Sequence, residues 1–544
     1  MTPAQKQQSE LRFVAAIQTT VDERLKKLAN FLESRSSILL GILFLLYLWI
    51  LKGERVKPLW HDELYTYYIA QAPTFGKMLL WIRTIDLNPP LYYTAARITF
   101  HLIHPSAFSV RLPSMIAYFV AAVCLYQFVR RRLTPLYGLL AALVLLGSSF
   151  NLYSFEARPY ALVLGFIDIL ALAWQRAIQT DKHRSWIALL FIVVGGFGML
   201  LSHILAAVAY AALLLTEAIR CFLRRKPDWI LWICLALPLS ACVTYLQPIQ
   251  THDAGAFPKL FQASITNLQA AYSDIWAGLA SLLAAAIVAI VLLRDKPTDP
   301  VRDTSPSGFT LPEIILALGF CCVPLVVIFV FMHSHSAYFP RYGIAAIFGV
   351  GILVSWFVAR WTAASSRAAL ICSIFFCFGI VTPASLARHL QNVVQPVQPQ
   401  GVDLTGDSTT PISQIMPNLP FVDASGLTFL EMNSRENSTF LARVYYLNDL
   451  DAAVQYANAT IFEGFPTLKG KFPIQANIMP YTQFIQQHST FLVFGTYNYP
   501  EDWLLRKLVA DHATLRFLGD YSAGYKDEQL YEVTLAPSAT ATKP

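Results

Sequence analysis

The chain has few charged residues for its length. Asp, Glu, Lys and Arg make up only 14% of its 544 residues, whereas a soluble globular protein carries about 25%. Hydrophobic residues account for 55% of the chain, and the mean hydropathy is +0.47. Because this composition has too much apolar surface for a soluble core, it predicts a polytopic α-helical membrane protein.

Cysteine is absent from the last part of the chain, and a cleavable signal is absent from its start. The eight cysteines all lie at or before Cys377, within or beside apolar segments. Their spacing fits neither a disulfide framework nor a tetrahedral metal site. Residues 1–36 have apolar side chains at three- and four-residue spacing but no small-residue cleavage site. We therefore predict a cytoplasmic amphipathic helix there rather than a signal peptide.

Long apolar segments are frequent between residues 37 and 383. About eleven of them are near the length that crosses about 30 Å of hydrocarbon. Clusters of Lys and Arg occur at every second connection, and the positive-inside rule makes these connections cytoplasmic. With an odd number of spans, the first loop (residues 52–108) and the chain after the last span lie outside. The predicted location is the inner (plasma) membrane, with the active site on the periplasmic or external side.

The composition changes after the last apolar segment. Residues after Ala387 include 10 basic and 15 acidic side chains, so this part is acidic within a basic protein. Residues 384–420 are rich in Gln, Pro, Ser and Thr and predict a linker. Residues 421–544 predict a small external α/β domain. Its strands are predicted at 427–432, 491–496 and 529–535, with a helix at 500–512.

An acidic pair follows the first apolar segment, in the sequence Trp60-His61-Asp62-Glu63. Carboxylates at this place suit proton transfer on a substrate whose tail lies in lipid and whose head lies in water. The alternative is that both are solvated loop acids. Asn88-Pro-Pro follows in the same loop and could be only a rigid turn. Between these motifs, the apolar stripe from Phe75 to Ile85 predicts an interfacial helix along the bilayer.

Three short external connections hold further polar residues. Arg158 and Arg341 lie on the side of the membrane where the charge rule disfavours basic residues. A guanidinium there suits a phosphate group, although it could also extend to lipid headgroups. His203 could equally be a hydrogen-bonded structural residue. The remaining polar residues of these connections are Glu156, Tyr160, Ser202, Tyr338 and Tyr342.

The ordered set of motifs resembles the GT-C membrane glycosyltransferases. Over about residues 37 to 350, the chain is most similar to their protein O-mannosyltransferase and aminoarabinose transferase group in its bacterial form. The resemblance implies a GT-C domain at 37–383 and a sugar donor carried on a polyprenyl phosphate. The eukaryotic mannosyltransferases carry a different lumenal module, so the resemblance implies no acceptor class. The motifs are Trp60-His-Asp-Glu, Asn88-Pro-Pro-Leu-Tyr-Tyr, Arg111-Leu-Pro-Ser, Glu156-Ala-Arg-Pro-Tyr-Ala-Leu and Pro340-Arg-Tyr.

The resemblance also implies roles for individual residues. The essential acid of the first external loop corresponds to Asp62 and the second-loop acid to Glu156, while basic residues near the membrane hold the phosphate. We predict Asp62 as the general base of an inverting displacement. The catalytic candidates are Asp62, Glu63 and Glu156. The phosphate-binding candidates are Arg158, Arg341 and Arg111, and the substrate-binding candidates are His61, Asn88, Tyr160, His203 and Tyr342.

The location of the site leads to the same donor by a separate argument. Nucleotide sugars are cytoplasmic, so a transferase on the outer face must use a sugar carried across the membrane on a lipid. The predicted partners are this polyprenyl-phosphate-linked donor, a lipid, polysaccharide or protein acceptor, and membrane lipid, without nucleic acid. The reaction requires no cofactor, although Glu156 and His203 would suit a divalent metal.

Two other classes of function compete with a transferase. A transporter or lipid flippase would place charges near the bilayer midplane and use matching broken spans. Here the charges gather at one face. A structural scaffold or receptor would explain the carboxyl-terminal domain but leave the loop motifs unused.

Overall fold

The computed structural model describes residues 3–53, 57–86, 88–179, 185–244, 263–276, 279–292, 308–334, 337–382, 412–497, 499, 502–523 and 526–536. A helical part occupies the chain up to residue 382, and a mixed part with a β-sheet begins near residue 412. Residues 384–411 of the predicted linker lie outside the described residues.

The helical part begins with α1 and α2, which flank a sharp bend, and continues through a first loop that contains three helices. Its helices up to residue 147 are α1 (Pro3–Glu33), α2 (Ser36–Gly53), α3 (His61–Ala70), α4 (Phe75–Trp81), α5 (Leu91–Leu102), α6 (Ala107–Arg130) and α7 (Pro135–Gly147). A π-helical turn, Ile82–Asp86, follows α4, and a 3-10 helix, Ser149–Phe155, follows α7.

The remaining helices of this part are mostly apolar. They are α8 (Tyr160–Gln179), α9 (Trp186–Leu200), α10 (Ala206–Arg224), α11 (Trp229–Ala236), α12 (Ile265–Trp276), α13 (Leu279–Leu292), α14 (Leu311–Cys321), α15 (Val323–Ser334), α16 (Ala346–Trp361) and α17 (Ser366–Ile380). Short 3-10 helices follow α11 at Leu237–Cys242 and precede α16 at Pro340–Gly343.

Three described helices, α6, α8 and α10, are long and apolar enough to cross a membrane. The number rises to six if each of three bent helix pairs is one span. Five further apolar helices have 10 to 17 residues. The predicted count of eleven spans therefore stays a prediction. The bent pairs are Thr20–Glu33 with Ser36–Lys52, Pro135–Gly147 with Ser149–Phe155, and α14 with α15.

Helices α6 and α8 pack closely and bring two of the motifs together. Helix α6 begins at Ser106, whose hydroxyl accepts a hydrogen bond from the Ser109 amide at 3.1 Å, a standard N-cap. A β-carbon at Gly165 of α8 would lie only 2.8 Å from the Ala117 carbonyl oxygen of α6. This close approach requires glycine, and it places Arg111 of α6 near the loop that leads into α8.

The carboxyl-terminal part contains a six-stranded sheet in the order β3-β2-β1-β4-β6-β5. The first four strands in this order are parallel, and β6 pairs antiparallel with both β4 and β5. The strands are β1 (Phe421–Asp423), β2 (Val444–Asn448), β3 (Asn477–Pro480), β4 (Thr490–Gly495), β5 (Thr514–Ala523) and β6 (Lys526–Thr534). The longest accompanying helices are α18 (Gly426–Arg435), α21 (Tyr481–Gln487) and α22 (Leu504–Ala510), with the single turns α19 (Ser438–Leu441) and α20 (Leu450–Ala452) between α18 and α21.

One predicted strand is wrong. Residues 427–432 belong to helix α18, whereas the predicted strands at 491–496 and 529–535 correspond to β4 and β6. A short apolar run does not distinguish a strand from a buried helix. The carboxylate of Asp423 accepts hydrogen bonds from the Ser425 amide and the Thr428 hydroxyl, and this turn starts the helix. The helix predicted at 500–512 is α22, while Pro500 lies outside the described residues.

The sheet domain packs on the first loop. Met78 and Ile82, from the apolar stripe in that loop, are buried in one hydrophobic cluster with Phe429 and Phe494 of the sheet domain. The prediction that this stripe lies along the bilayer is therefore wrong for its buried face, because the face is covered by protein. This contact places the sheet domain directly beside Asp62.

Candidate active site

The acidic pair lies in the first turn of α3. If the stretch were extended, Asp62 and Glu63 would point to opposite sides. It is helical from His61, so the two side chains are separated by about 100° around the helix axis. They enter two different clusters of charged groups, one on each side of the turn.

Glu63 is the centre of a closed cluster. Its side chain is fully buried and forms a two-pronged ion pair with Arg111, at 2.7 Å and 2.5 Å. It also accepts hydrogen bonds from the amides of Ala157 at 2.7 Å and Trp60 at 3.3 Å. Arg111 donates further to the carbonyl oxygens of Lys57 and Pro58. These contacts occupy both side chains and tie α3, α6 and the loop before α8 together.

Asp62 belongs to an open cluster. Its carboxylate is 21% exposed and lies 3.8 Å from Nε of Arg158 and 3.7 Å from Nη2 of Arg341. These distances exceed those of direct hydrogen bonds. Nε of Arg158 and Nε of Arg341 are buried and have no hydrogen-bond acceptor within the described part of the chain. The cluster therefore has guanidinium N–H groups without a hydrogen-bond acceptor in the described part of the chain.

The open cluster contains a second carboxylate, Asp86, which was not predicted from the sequence. Arg158 donates to Asp86 at 3.1 Å and to the carbonyl oxygen of Asp62 at 3.2 Å. The hydroxyl of Tyr93 and the amide group of Asn88 also donate to Asp86. The predicted substrate-binding residue Asn88 thus holds an acid of the cluster. The sequence signal was an aspartate two residues before the Asn88-Pro-Pro motif.

Burial and charge act against each other on the acids of the site. Burial raises the pKa of Asp62. The positive charges of Arg158 and Arg341 lower it by a larger amount, so the pKa lies below its ordinary value. Burial raises the pKa of Glu156 to about 7, against the opposing effect of Lys57, whose ammonium lies 3.7 Å away. Asp62 is therefore ionised at neutral pH, while Glu156 is only partly ionised.

Aromatic rings surround the open cluster on the side of the apolar helices. The guanidinium of Arg341 lies 4.3 Å from the ring centre of Phe339 and within 6 Å of the rings of Tyr160 and Tyr342. His203 packs against the same two tyrosines. The predicted residues Tyr160, His203, Arg341 and Tyr342 together line one small cleft.

The two predicted histidines are neutral. Burial, together with the charges of Arg158 and Arg341, lowers the pKa of His203 to about 3. Its Nδ1 accepts a hydrogen bond from the Leu205 amide. Burial also lowers the pKa of His61 to about 4, against the effect of Asp62. His61 points away from the cleft, into the sheet domain, where its ring packs on phenylalanines.

The residues predicted to hold a divalent metal are occupied by other contacts. Glu156 lies near Lys57, and His203 uses Nδ1 as described above. Within the described ranges, no group of three His, Cys, Asp or Glu side chains could hold a metal ion.

The other motif residues form the scaffold of the site. Ser114, from the Arg111-Leu-Pro-Ser motif, donates to the carbonyl oxygen of Glu156 at 2.6 Å. The buried hydroxyl of Tyr92 contacts Ser114 at 2.8 Å. The amide of Leu91, directly after the two prolines, donates to the carbonyl oxygen of Leu201 in the connection that carries His203. The motifs therefore position one another across four loops and helices.

Comparison with known proteins gives one family and a set of similar structures. Residues 87–245 match the family described as Dolichyl-phosphate-mannose-protein mannosyltransferase. No curated protein matches the chain in sequence. ArnT from Cupriavidus metallidurans in the apo state has a TM-score of 0.51 and 10% identity, covering 91% of this chain and 97% of ArnT.

Two further solved structures are similar. ArnT from the same organism bound to undecaprenyl phosphate has a TM-score of 0.51 and 10% identity, covering 93% of this chain and 99% of that one. The oligosaccharyltransferase of Archaeoglobus fulgidus in complex with Zn and sulfate has a TM-score of 0.40 and 10% identity, covering 83% and 67%.

These similarities agree with the motifs. The family match begins at the Asn88-Pro-Pro motif and includes Arg111, Glu156, Arg158 and His203. The likeness to ArnT extends over nearly all of both chains, so the two share a fold. The predicted resemblance, fold class and enzyme class agree with these findings: residues 87–245 match a mannosyltransferase family, and the chain shares the fold of ArnT.

Proposed function

We propose that this protein transfers a sugar from a polyprenyl-phosphate carrier to an acceptor hydroxyl, with Asp62 as the general base. The donor class is supported by the likeness to ArnT, which has been solved with undecaprenyl phosphate bound. The acceptor is a lipid, a polysaccharide or a protein. The observation that carries the proposal is the position of the Asp62 carboxylate between Arg158 and Arg341.

The open cluster suits the movement of charge during such a reaction. The acceptor oxygen forms a bond to the anomeric carbon, while the bond from this carbon to the phosphate oxygen breaks. The acceptor proton passes to Asp62, which loses its negative charge, and the leaving polyprenyl phosphate gains one. Arg158 and Arg341 suit this shift of negative charge, because the guanidinium groups that stabilise the Asp62 carboxylate before the reaction can stabilise the leaving phosphate after it.

The low pKa of Asp62 is compatible with its role as a base. A carboxylate paired with two guanidinium groups is a weak base at rest. When a phosphate shares these guanidinium groups, their effect on Asp62 becomes smaller and its pKa rises. Donor binding thus prepares the base. Direct displacement by the acceptor inverts the anomeric configuration, because one attack occurs from the face opposite the leaving group.

Glu63 and Arg111 have a structural role in this proposal, although both were predicted as functional residues. Their buried ion pair lies behind the turn that carries Asp62. Glu156 is beside the cleft, and its partly protonated carboxyl could donate a hydrogen bond to substrate. Asp86 holds Arg158 in place.

The proposed orientation puts the site and the sheet domain on the external side of the membrane. Basic residues at alternate connections support it. Labelling of single cysteines in intact cells with an impermeant reagent tests this orientation. We expect label at position 450 in the sheet domain and none at position 225, after α10. The reverse pattern would contradict the external site.

The enzyme assay uses purified full-length protein in nanodiscs with undecaprenyl-phosphate-linked mannose and undecaprenyl-phosphate-linked aminoarabinose. Release of undecaprenyl phosphate is measured with envelope extracts as a source of acceptor. We expect release with at least one donor and none in Asp62→Asn. Equal release by parent and Asp62→Asn would remove Asp62 from the mechanism. Absence of release with every lipid-linked sugar would contradict the donor class.

A further inference from the structure

Two buried polar contacts connect the sheet domain to the start of α3. Oε1 of Glu431, in α18, accepts a hydrogen bond from the His61 amide at 3.0 Å. Oε2 of Glu431 pairs with Arg435 at 2.7 Å, and Arg435 donates to the carbonyl oxygen of Leu59 at 3.2 Å. The sheet domain therefore holds the chain on both sides of Trp60, the N-cap residue of α3.

The physical reason for this contact is the unpaired amide groups of a helix start. The first four amides of a helix have no partner within the helix, and a carboxylate is favoured at this positive end. Glu63, within α3, supplies one acceptor by accepting from the Trp60 amide. Glu431 supplies another from a domain more than three hundred residues further along the chain.

Aromatic contacts fasten the same turn. The ring of His61 lies 5.5 Å from Phe462 and 6.2 Å from Phe465. One turn later, Tyr65 lies 5.5 Å from Phe472 in an edge-to-face arrangement. All three phenylalanines belong to the sheet domain and are buried. Polar and apolar contacts thus act on His61, directly before Asp62, and apolar contacts act on Tyr65, three residues after it.

We propose that Glu431 is a positioning residue, through which the sheet domain sets the place of Asp62 relative to Arg158 and Arg341. The inference rests on the proposed function, since it gives the sheet domain a part in the same site. The distances from Asp62 to Arg158 and Arg341 are 3.8 Å and 3.7 Å. They are near the limit of an ion pair, so a small displacement of the first turn would separate these groups.

Three variants of the full-length protein in nanodiscs test this inference. Glu431→Ala removes both contacts of the carboxylate, whereas Glu431→Gln keeps a neutral acceptor for the His61 amide and should fold. Glu463→Gln is the matched control. Glu463 is a second carboxylate of the sheet domain that accepts from the Asp449 amide and the Trp503 indole, and these partners lie within that domain.

The first measurement is hydrogen–deuterium exchange of peptides covering residues 59–65, which needs no substrate. Loss of an anchoring contact makes local opening of the backbone more frequent, and amide hydrogens then exchange faster. We expect exchange in this segment to become about tenfold faster in Glu431→Ala, with a smaller change in Glu431→Gln. Glu463→Gln should leave it unchanged. Unchanged exchange in Glu431→Ala would overturn the inference.

The second measurement is the pH dependence of turnover with the lipid-linked sugar that the parent uses. The titratable and charged groups around Asp62 are His61, Tyr65, Glu156, Arg158, Tyr160, Arg341 and Tyr342, with Asp86 behind Arg158. If Asp62 moves away from the two arginines, its pKa rises and the acid limb of the rate profile moves to higher pH. A merely structural role would lower the amount of folded protein without moving this limb.

The outcomes separate the two proposals. We expect the acid limb to move in Glu431→Ala and to stay in place in Glu463→Gln. A parent-like limb in folded Glu431→Ala would overturn the positioning role. A parent that transfers no lipid-linked sugar would contradict the proposed function instead, while the exchange experiment would still decide whether Glu431 anchors α3.

Discussion

The two ion clusters on either side of the first turn of α3 differ in almost every physical respect. In one cluster, Glu63 is fully buried and makes short contacts with Arg111, and both oxygens of its carboxylate accept hydrogen bonds. In the other, Asp62 is partly exposed, and its distances from Arg158 and Arg341 are 3.8 Å and 3.7 Å, against 2.7 Å and 2.5 Å in the first cluster. Adjacent residues of the same charge therefore have opposite environments.

This difference distinguishes an acid that suits a structural role from an acid that suits proton transfer. A closed ion pair cannot exchange partners without leaving a buried charge unpaired, which costs several kcal/mol. An open cluster can admit an anion, because its longer contacts cost little to rearrange and its guanidinium groups retain unused donors. Catalysis requires a group whose partners change during the reaction, and in the proposed function Asp62 is that group.

The largest expected effect tests the closed cluster. Glu63→Gln should lower the free energy of unfolding by about 3–5 kcal/mol, because Arg111 then remains buried without its counter-charge. Thermal melting in detergent measures it, with Arg111→Ala as the companion. A Glu63→Gln protein that melts like the parent would remove the distinction between the two clusters.

The next effect tests the open cluster. Asp62→Asn keeps the shape of the side chain and removes its basicity, so turnover should fall about a hundredfold or more. A hundredfold loss corresponds to about 2.7 kcal/mol in activation free energy. The melting temperature should remain near that of the parent, and binding of undecaprenyl phosphate, measured by thermophoresis, should survive. Loss of folding in Asp62→Asn would give Asp62 the same role as Glu63.

The paired arginines offer a smaller effect that sharpens the comparison. Arg341→Ala should reduce turnover about tenfold by removing one cation from the leaving phosphate, and Arg341→Lys should restore only part of it. Arg341 is 20% exposed, and within the described residues its side chain has no hydrogen bond to a backbone carbonyl, in contrast to Arg111. Its loss should therefore change melting little. Unchanged turnover in Arg341→Ala would leave contact with lipid headgroups as its role.

The sequence predicted one of these clusters better than the other, for physical reasons. Arg158 and Arg341 could be predicted because the charge rule disfavours basic residues in their connections, and Asp62 because it follows the first apolar segment in a motif that resembles the GT-C transferases. The partner of Glu63 could not, because Arg111 is 48 residues away and only the packing of α6 beside α3 brings it near.

Contacts with the sheet domain were beyond the reach of sequence patterns. Nothing in the sequence around Glu431 indicates a contact with His61, and the surrounding run was even predicted as a strand. Asp86 was overlooked for a different reason. It lies in a π-helical turn, whose unusual geometry directs its carboxylate towards Arg158, and periodicity arguments do not describe such turns.

The smallest expected effect compares the helical part with the sheet domain through the pH dependence of stability. Glu156 in the helical part and Glu463 in the sheet domain each have a pKa that burial raises to about 7. In the unfolded chain both should titrate near 4.5. Between these values the folded protein binds more protons than the unfolded protein, so stability falls as pH rises.

Each carboxyl therefore contributes stability that is fully present below about pH 4.5 and is lost as pH rises towards 7. Asp62 has the opposite sign and titrates below this window, because its pKa is lowered. Glu156→Gln and Glu463→Gln should each remove part of the fall in melting temperature between pH 5 and pH 8, by a few degrees. If the two regions unfold separately, each variant should flatten only the transition of its own region. If Glu431 and the aromatic contacts join them into one cooperative unit, each variant should flatten a single shared transition.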